Sequence, residues 1–166
     1  MKLYHGSMIE HLAISNSGTG LGYNFGAMFF ARTYGTAKGY GDYVYQCEVD
    51  VKDIFFNEDI PYLEDGAAGT ALLEVMAERG IDEKHFDLCW YVVMEKMDLR
   101  DHEEWTDLLG MDEDDAGWEA QAMRIALARK LGFKGVEMDD ECGSIAVLPE
   151  YIALEVATDE DDEEDD

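Results

Sequence analysis

Three short segments of this 166-residue chain carry residue types able to act together on a ligand. The first is Tyr4-His5-Gly6-Ser7, where an imidazole can hydrogen-bond a ribose hydroxyl and a glycine backbone can clasp a carboxamide. The second is Gly26-Ala27-Met28-Phe29-Phe30-Ala31 with Ala37 and Tyr40-Gly41 downstream, which sets two flat side chains, Phe29 and Tyr40, at a spacing that a strand and a short helix fold into one pocket. The third is the acidic run Asp139-Asp140-Glu141, a source of carboxylate for a developing cation such as the oxocarbenium-like state of glycosidic cleavage. Taken singly, each has an ordinary structural reading as well: a half-buried histidine before a turn, core aromatics, a solvated acidic turn.

Elements able to position these residues are legible around them. Short strand-like runs cover Lys2 to Tyr4, Ala27 to Ala31 and Tyr43 to Val51, the last with alternating character. Gly18, Gly20, Gly22 and Gly26 crowd into nine residues, which suits a backbone that approaches a ligand closely. From about Thr70 the period becomes helical: Leu72, Leu73, Met76 and Ala77 predict a helix ending at Gly80, Phe86 to Met97 a second, and Ala116 to Leu131 a third stopped by Gly132. Strands return at Phe133 to Met138, Ser144 to Val147 and Ile152 to Val156. The order predicts an α+β domain over residues 1–157 whose two ends pair in a split β-sheet, with a helical insert at about 55–115 and a disordered acidic tail from Thr158 to Asp166.

Bulk properties bound the function. The formal charge is −27, and the body still carries about −19 once the eight acidic residues Asp159 to Asp166 are set aside. Such a field disfavours direct contact with nucleic acid or membrane phosphates and steers the chain toward a basic partner, of which proteins that handle nucleic acid are the commonest. Apolar residues at 47% are enough for a core despite that charge. Cys47, Cys89 and Cys142 form neither a disulfide framework nor a zinc-type spacing, and no signal-peptide stretch or run of 18 apolar residues occurs, so the expected location is the reducing cytoplasm.

In this order the three segments resemble the ADP-ribosyltransferase fold: a first-strand His-Gly-Ser, a Gly-x-aromatic-Phe-Ala segment with Ala and Tyr downstream, and a carboxylate near a late strand. Gly117-Trp118-Glu119-Ala120-Gln121, Leu131-Gly132-Phe133, Val136 to Glu141 and Leu148-Pro149 resemble more closely the phage anti-CRISPR ADP-ribosyltransferases directed against type I-F systems. The resemblance implies NAD as co-substrate, no metal, and a cofactor site of His5, Gly6, Ser7, Phe29 and Tyr40: His5 on the adenosine-side ribose, Gly6 on the nicotinamide amide and Tyr40 stacked on the nicotinamide ring. Phe29 would stand where members with a His-Tyr-Glu set carry tyrosine, losing a phenol and keeping a stacking face. Asp140 would be the catalytic aspartate. On a regular strand Glu137, Asp139 and Glu141 point one way and Asp140 the other, so which carboxylate faces the pocket stays open.

The implied function is mono-ADP-ribosylation of a protein of the type I-F CRISPR surveillance complex, in particular the subunit that reads the motif flanking the DNA target, which would block target recognition. Partner specificity would then lie outside the NAD pocket, in the helical insert. Two other readings fit the same residues: an acidic DNA mimic that inhibits without catalysis, and a toxin, regulatory transferase or NAD hydrolase of the same fold with another target.

Overall fold

The computed structural model describes residues 1–14, 25–58, 66–96, 103–140 and 142–158. The glycines Gly18, Gly20 and Gly22, the carboxylate Glu141 and the acidic run Asp159 to Asp166 lie outside the described residues. The chain divides into two compact units, Met1–Phe55 with Lys134–Asp166, and Phe56–Phe133.

In the first unit β1 (Lys2–Ser7) pairs antiparallel with β3 (Tyr43–Glu48), with His5 opposite Tyr45 and Ser7 opposite Tyr43. β3 also pairs with the short β7 (Glu155–Val156), giving a sheet in the order β1-β3-β7. The second sheet has the order β2-β6-β5-β4, from β2 (Met28–Phe30), β6 (Ile145–Val147), β5 (Gly135–Glu137) and β4 (Ile54–Phe55). Only the β4–β5 pairing is parallel among these. Both sheets thus draw strands from the two ends of the chain, and they join where Tyr4 and Ala31 exchange backbone hydrogen bonds of 2.9 and 2.7 Å. The architecture is α+β, with the sheet split in two.

β6 reads as an unbroken apolar run because all three of its residues are buried, flanked by strands on both sides. Five expected strands are shorter than their patterns, with Ala27 to Ala31 and Ser144 to Val147 trimmed to β2 and β6. Tyr43 to Val51 stops at Glu48, since Asp50 caps a 3₁₀ turn at Val51–Asp53 by accepting from the Lys52 amide. Phe133 to Met138 contracts to β5, and Ile152 to Val156 contracts to β7, preceded by a Pro-initiated 3₁₀ turn at Pro149–Tyr151.

The second unit is helical: α2 (Ala67–Glu78), α3 (Phe86–Val93), α4 (Glu103–Leu109) and α5 (Glu113–Lys130), with α1 reserved for the short Tyr34–Lys38 helix of the first unit. α5 starts where Asp112 accepts from the Asp115 amide at 3.0 Å, and its acidic first turn and basic last turn both suit the helix dipole. It ends at Gly132, whose φ of 87° lets Gly132 and Phe133 donate to the carbonyls of Arg129 and Ala128. α3 is shorter than Phe86 to Met97 suggests, because the chain turns at Glu95, where φ is 52°. α4 has no apolar stripe to announce it; it is held by Trp105, whose indole N–H donates to the Ala116 carbonyl at 2.9 Å. Arg124 of α5 is fully buried, donating to the Val93 carbonyl at 3.0 Å and to Asn57 Oδ1, with Glu95 Oε2 3.4 Å from its Nε.

Candidate active site

The first segment is built by close backbone packing. A Cβ on Gly6 would stand 1.8 Å from the Ala37 carbonyl oxygen and 3.1 Å from Tyr40 Cβ, and one on Gly41 would stand 2.3 Å from Ser7 backbone atoms. Only glycine permits either approach, so α1 lies directly on the end of β1. α1 itself begins at Thr33, whose hydroxyl accepts from the Thr36 amide at 3.2 Å. Beneath it Tyr4, Ala31, Ala37, Val44 and Ala157 form a small core, with Tyr34 meeting Tyr4 edge to face at 6.1 Å.

His5 and Phe29 are brought together by this arrangement. His5 Nδ1 lies 2.7 Å from the Phe29 carbonyl oxygen, which can only accept, so Nδ1 carries the proton and the neutral ring presents Nε2 as an acceptor. Burial pulls the His5 pKa below its usual value, opposed by that same hydrogen bond, so the neutral form holds at pH 7. An acceptor nitrogen is the group that a ribose hydroxyl requires. Phe29 is half-buried and packs edge to face on Phe25 at 5.1 Å. Ser7 is buried, and its hydroxyl accepts from the Ile9 amide at 3.0 Å, so it shapes the turn after β1.

Asp140 sits beyond the end of β5, in the turn to β6, and not on a regular strand, which removes the alternation between it and its acidic neighbours. Its Oδ1 accepts from the amides of Cys142 at 3.1 Å and Ser144 at 2.9 Å, while Oδ2 accepts from the Ser144 hydroxyl. A carboxylate oxygen has two lone pairs, so Oδ2 keeps capacity for one further donor. Glu137, the last residue of β5, forms an ion pair with Arg32, whose Nε also donates to the Gly143 carbonyl at 3.1 Å. Asp139 is exposed.

Tyr40 connects the two halves. It packs against Gly6 at its Cβ end, and its hydroxyl lies 3.0 Å from the thiol of the exposed Cys142, two residues past Asp140. The residue is 64% exposed, leaving ring surface available for stacking. His5, Gly6, Phe29, Tyr40 and Asp140 thus belong to one chain of contacts in the first unit. Arg32, Cys142 and Ser144 complete it, and none of these three is singled out by motif or spacing; their roles come from contacts made across more than 100 residues for Arg32 and Cys142. Among the described residues no cluster of three or more His, Cys, Asp or Glu side chains is arranged to hold a metal, and no helix is long and apolar enough to cross a membrane.

The α+β fold with its sheet split in two is that of an ADP-ribosyltransferase. The chain belongs to the family of the anti-CRISPR type I-F ADP-ribosyltransferase AcrIF11, whose family model matches residues 1–153. It is therefore an enzyme of ADP-ribosyl transfer and of CRISPR inhibition. Among solved structures it is similar to one described as the crystal structure of an anti-CRISPR protein, at 26% identity over 95% of each chain with a TM-score of 0.62. No curated protein matches it.

Proposed function

We propose that the protein transfers one ADP-ribose from NAD to the subunit of the type I-F surveillance complex that reads the motif flanking the DNA target, in the host bacterial cytoplasm, and so blocks target recognition. The observation that carries this reading is the placement of Tyr40, with an exposed ring, against the turn organised by Asp140. In this reading His5 Nε2 accepts from a hydroxyl of the adenosine-side ribose, the Gly6 backbone engages the nicotinamide carboxamide, Ser7 keeps β1 and its following turn in place, and Phe29 and Tyr40 offer flat faces. Asp140 orients the nicotinamide-side ribose through its 2′-hydroxyl and stabilises positive charge at C1′ as the C1′–N bond breaks and its electrons leave with nicotinamide. An acceptor side chain then bonds to C1′ and loses its proton. A weak acceptor depends on being held close, so docking supplies much of the rate. The −27 charge supports a basic partner, and the helical unit, outside the chain of contacts around Asp140, is where we place partner selection.

The test is the intact mass of the purified type I-F surveillance complex after incubation with the protein and NAD. Asp140→Asn is the fitting control, because an amide oxygen still accepts from the Cys142 and Ser144 amides while the charge is gone. A gain of one ADP-ribose on one subunit, absent with Asp140→Asn, is expected. Tight binding with no NAD-dependent mass change would instead favour the charge-mimic reading, whose affinity should fall steeply with salt.

A further inference from the structure

The Asp140 turn is fastened from inside and from outside. Inside, the Asp140 carboxylate takes the Cys142 and Ser144 amides, its carbonyl takes the Gly143 amide at 3.0 Å, and Met138 donates to the Ser144 carbonyl at 2.9 Å at the root. Outside, among the contacts described above, two residues reach it: Tyr40, whose hydroxyl lies 3.0 Å from the Cys142 thiol, and Arg32, which alone of the two holds the turn's backbone. Its Nε donates to the Gly143 carbonyl while its terminal nitrogen pairs with Glu137, so one guanidinium grips both the tip of the turn and the strand end below it. Arg32 directly follows Ala31, the residue that ties β1 to the second sheet, so its backbone is fixed on the His5 side of the site.

We propose that Arg32 is a positioning residue for transfer: it sets the Asp140 turn relative to the β1–β2 junction, and it acts on the rate and not on NAD affinity. The proposal rests on the reading of Asp140 as the catalytic carboxylate. The planar fork of arginine is what allows two contacts at fixed mutual angle; lysine keeps the charge opposite Glu137 and has no Nε–H for Gly143. Without that second contact the turn keeps its internal bonds and the Tyr40–Cys142 side-chain contact but loses the tie of its backbone to the β1–β2 junction, so the carboxylate is displaced with the turn. Displacements of about 1 Å cost on the order of 100-fold in rate when geometry limits catalysis.

The experiment compares wild type, Arg32→Lys and Asp140→Asn, measuring kcat and KM for NAD with the type I-F surveillance complex as acceptor. Amide hydrogen exchange over residues 138–146 and thermal melting are measured without NAD. Arg32→Lys is expected to lower kcat by roughly 10-fold or more with KM within about 3-fold, and to speed exchange in that segment while the melting temperature holds. A rise in KM with kcat unchanged would make Arg32 a group that binds NAD directly and overturn the proposal, as would wild-type kinetics and exchange. Should Arg32→Lys fail to fold, Arg32→Gln is measured in its place, and failure of both makes Arg32 a folding residue and overturns the proposal. Asp140→Asn separates the two levels: if it is inactive while Arg32→Lys is normal, the Arg32 proposal alone fails, and if it is active, both fail.

Discussion

Gly6→Ala is the most direct test of how the site is assembled. The added methyl would meet the Ala37 carbonyl oxygen at 1.8 Å, a contact between two backbone segments with no side-chain rotamer to relieve it, so α1 must retreat from β1 by more than an ångström. Overpacking of this kind costs about 1–3 kcal/mol, occasionally more, and here belongs at the upper end. Retreat also disturbs the Tyr40 amide bond to that same carbonyl, 2.9 Å in length, for about 1 kcal/mol more. The reduced freedom of an alanine in the unfolded chain returns about 0.4–1 kcal/mol, leaving a net loss of about 3 kcal/mol. Gly35→Ala is the control: it lies in α1 with nothing within 4 Å of its added Cβ, and should gain about 0.5–1 kcal/mol. All three tryptophans, Trp90, Trp105 and Trp118, lie in the helical unit, so fluorescence would miss the effect. Amide exchange in β1 and β3 against urea reports it directly. A Gly6→Ala protein within 0.5 kcal/mol of wild type, with β1 protection intact, would refute the packing argument and with it the reason for glycine beside His5.

Three further outcomes are expected. Arg124→Ala should cost the helical unit about 3–5 kcal/mol, read from the tryptophan-fluorescence urea midpoint, because it removes the cation beside the mostly buried Glu95, which keeps the Asn57 amide, and takes a donor from the Val93 carbonyl. In the native protein a thiol alkylating reagent should add once, at the exposed Cys142. Burial raises Cys47 to about 12 and Cys89 to about 11, and their adducts should appear only on unfolding; three additions to native protein would contradict the burial assigned to them. His5, whose folded pKa lies below the unfolded value of 6.5, contributes a pH dependence of definite sign. Between the two pKa values the unfolded chain binds more protons, so stability is full above about 6.5 and falls as pH drops through the folded value, and His5→Gln should flatten that decline in β1 exchange measurements.

Much of this molecule is written in local signals that require nothing from distant parts of the chain. Gly132 after a basic turn marks the end of α5 as the sequence suggests, because capping is settled within a few residues, whereas the helix starts at Glu113, capped by Asp112, three residues before the Ala116 that its apolar pattern indicates. The apolar run within Ser144 to Val147 announces a buried strand, and the order of His5-Gly6-Ser7, Phe29, Tyr40 and the acidic turn carries the resemblance to the transferase family that the match over residues 1–153 bears out. Other features depend on contacts that sequence spacing does not encode. The division into two sheets and the parallel β4–β5 pairing rest on hydrogen bonds between strands far apart in sequence. α4 depends on one indole buried against α5. The alternation argument for the acidic residues assumed a continuing strand, whereas Asp140 closes a turn by accepting its own backbone amides. Arg32, the residue that fastens that turn to the rest of the site, has no motif of its own, since its role is created by the distance closed between Ala31 and Gly143 when the chain folds. Residue types and their order were sufficient to indicate the class of chemistry; the orientation of each carboxylate is a property of tertiary hydrogen bonding, and only the folded chain decides it.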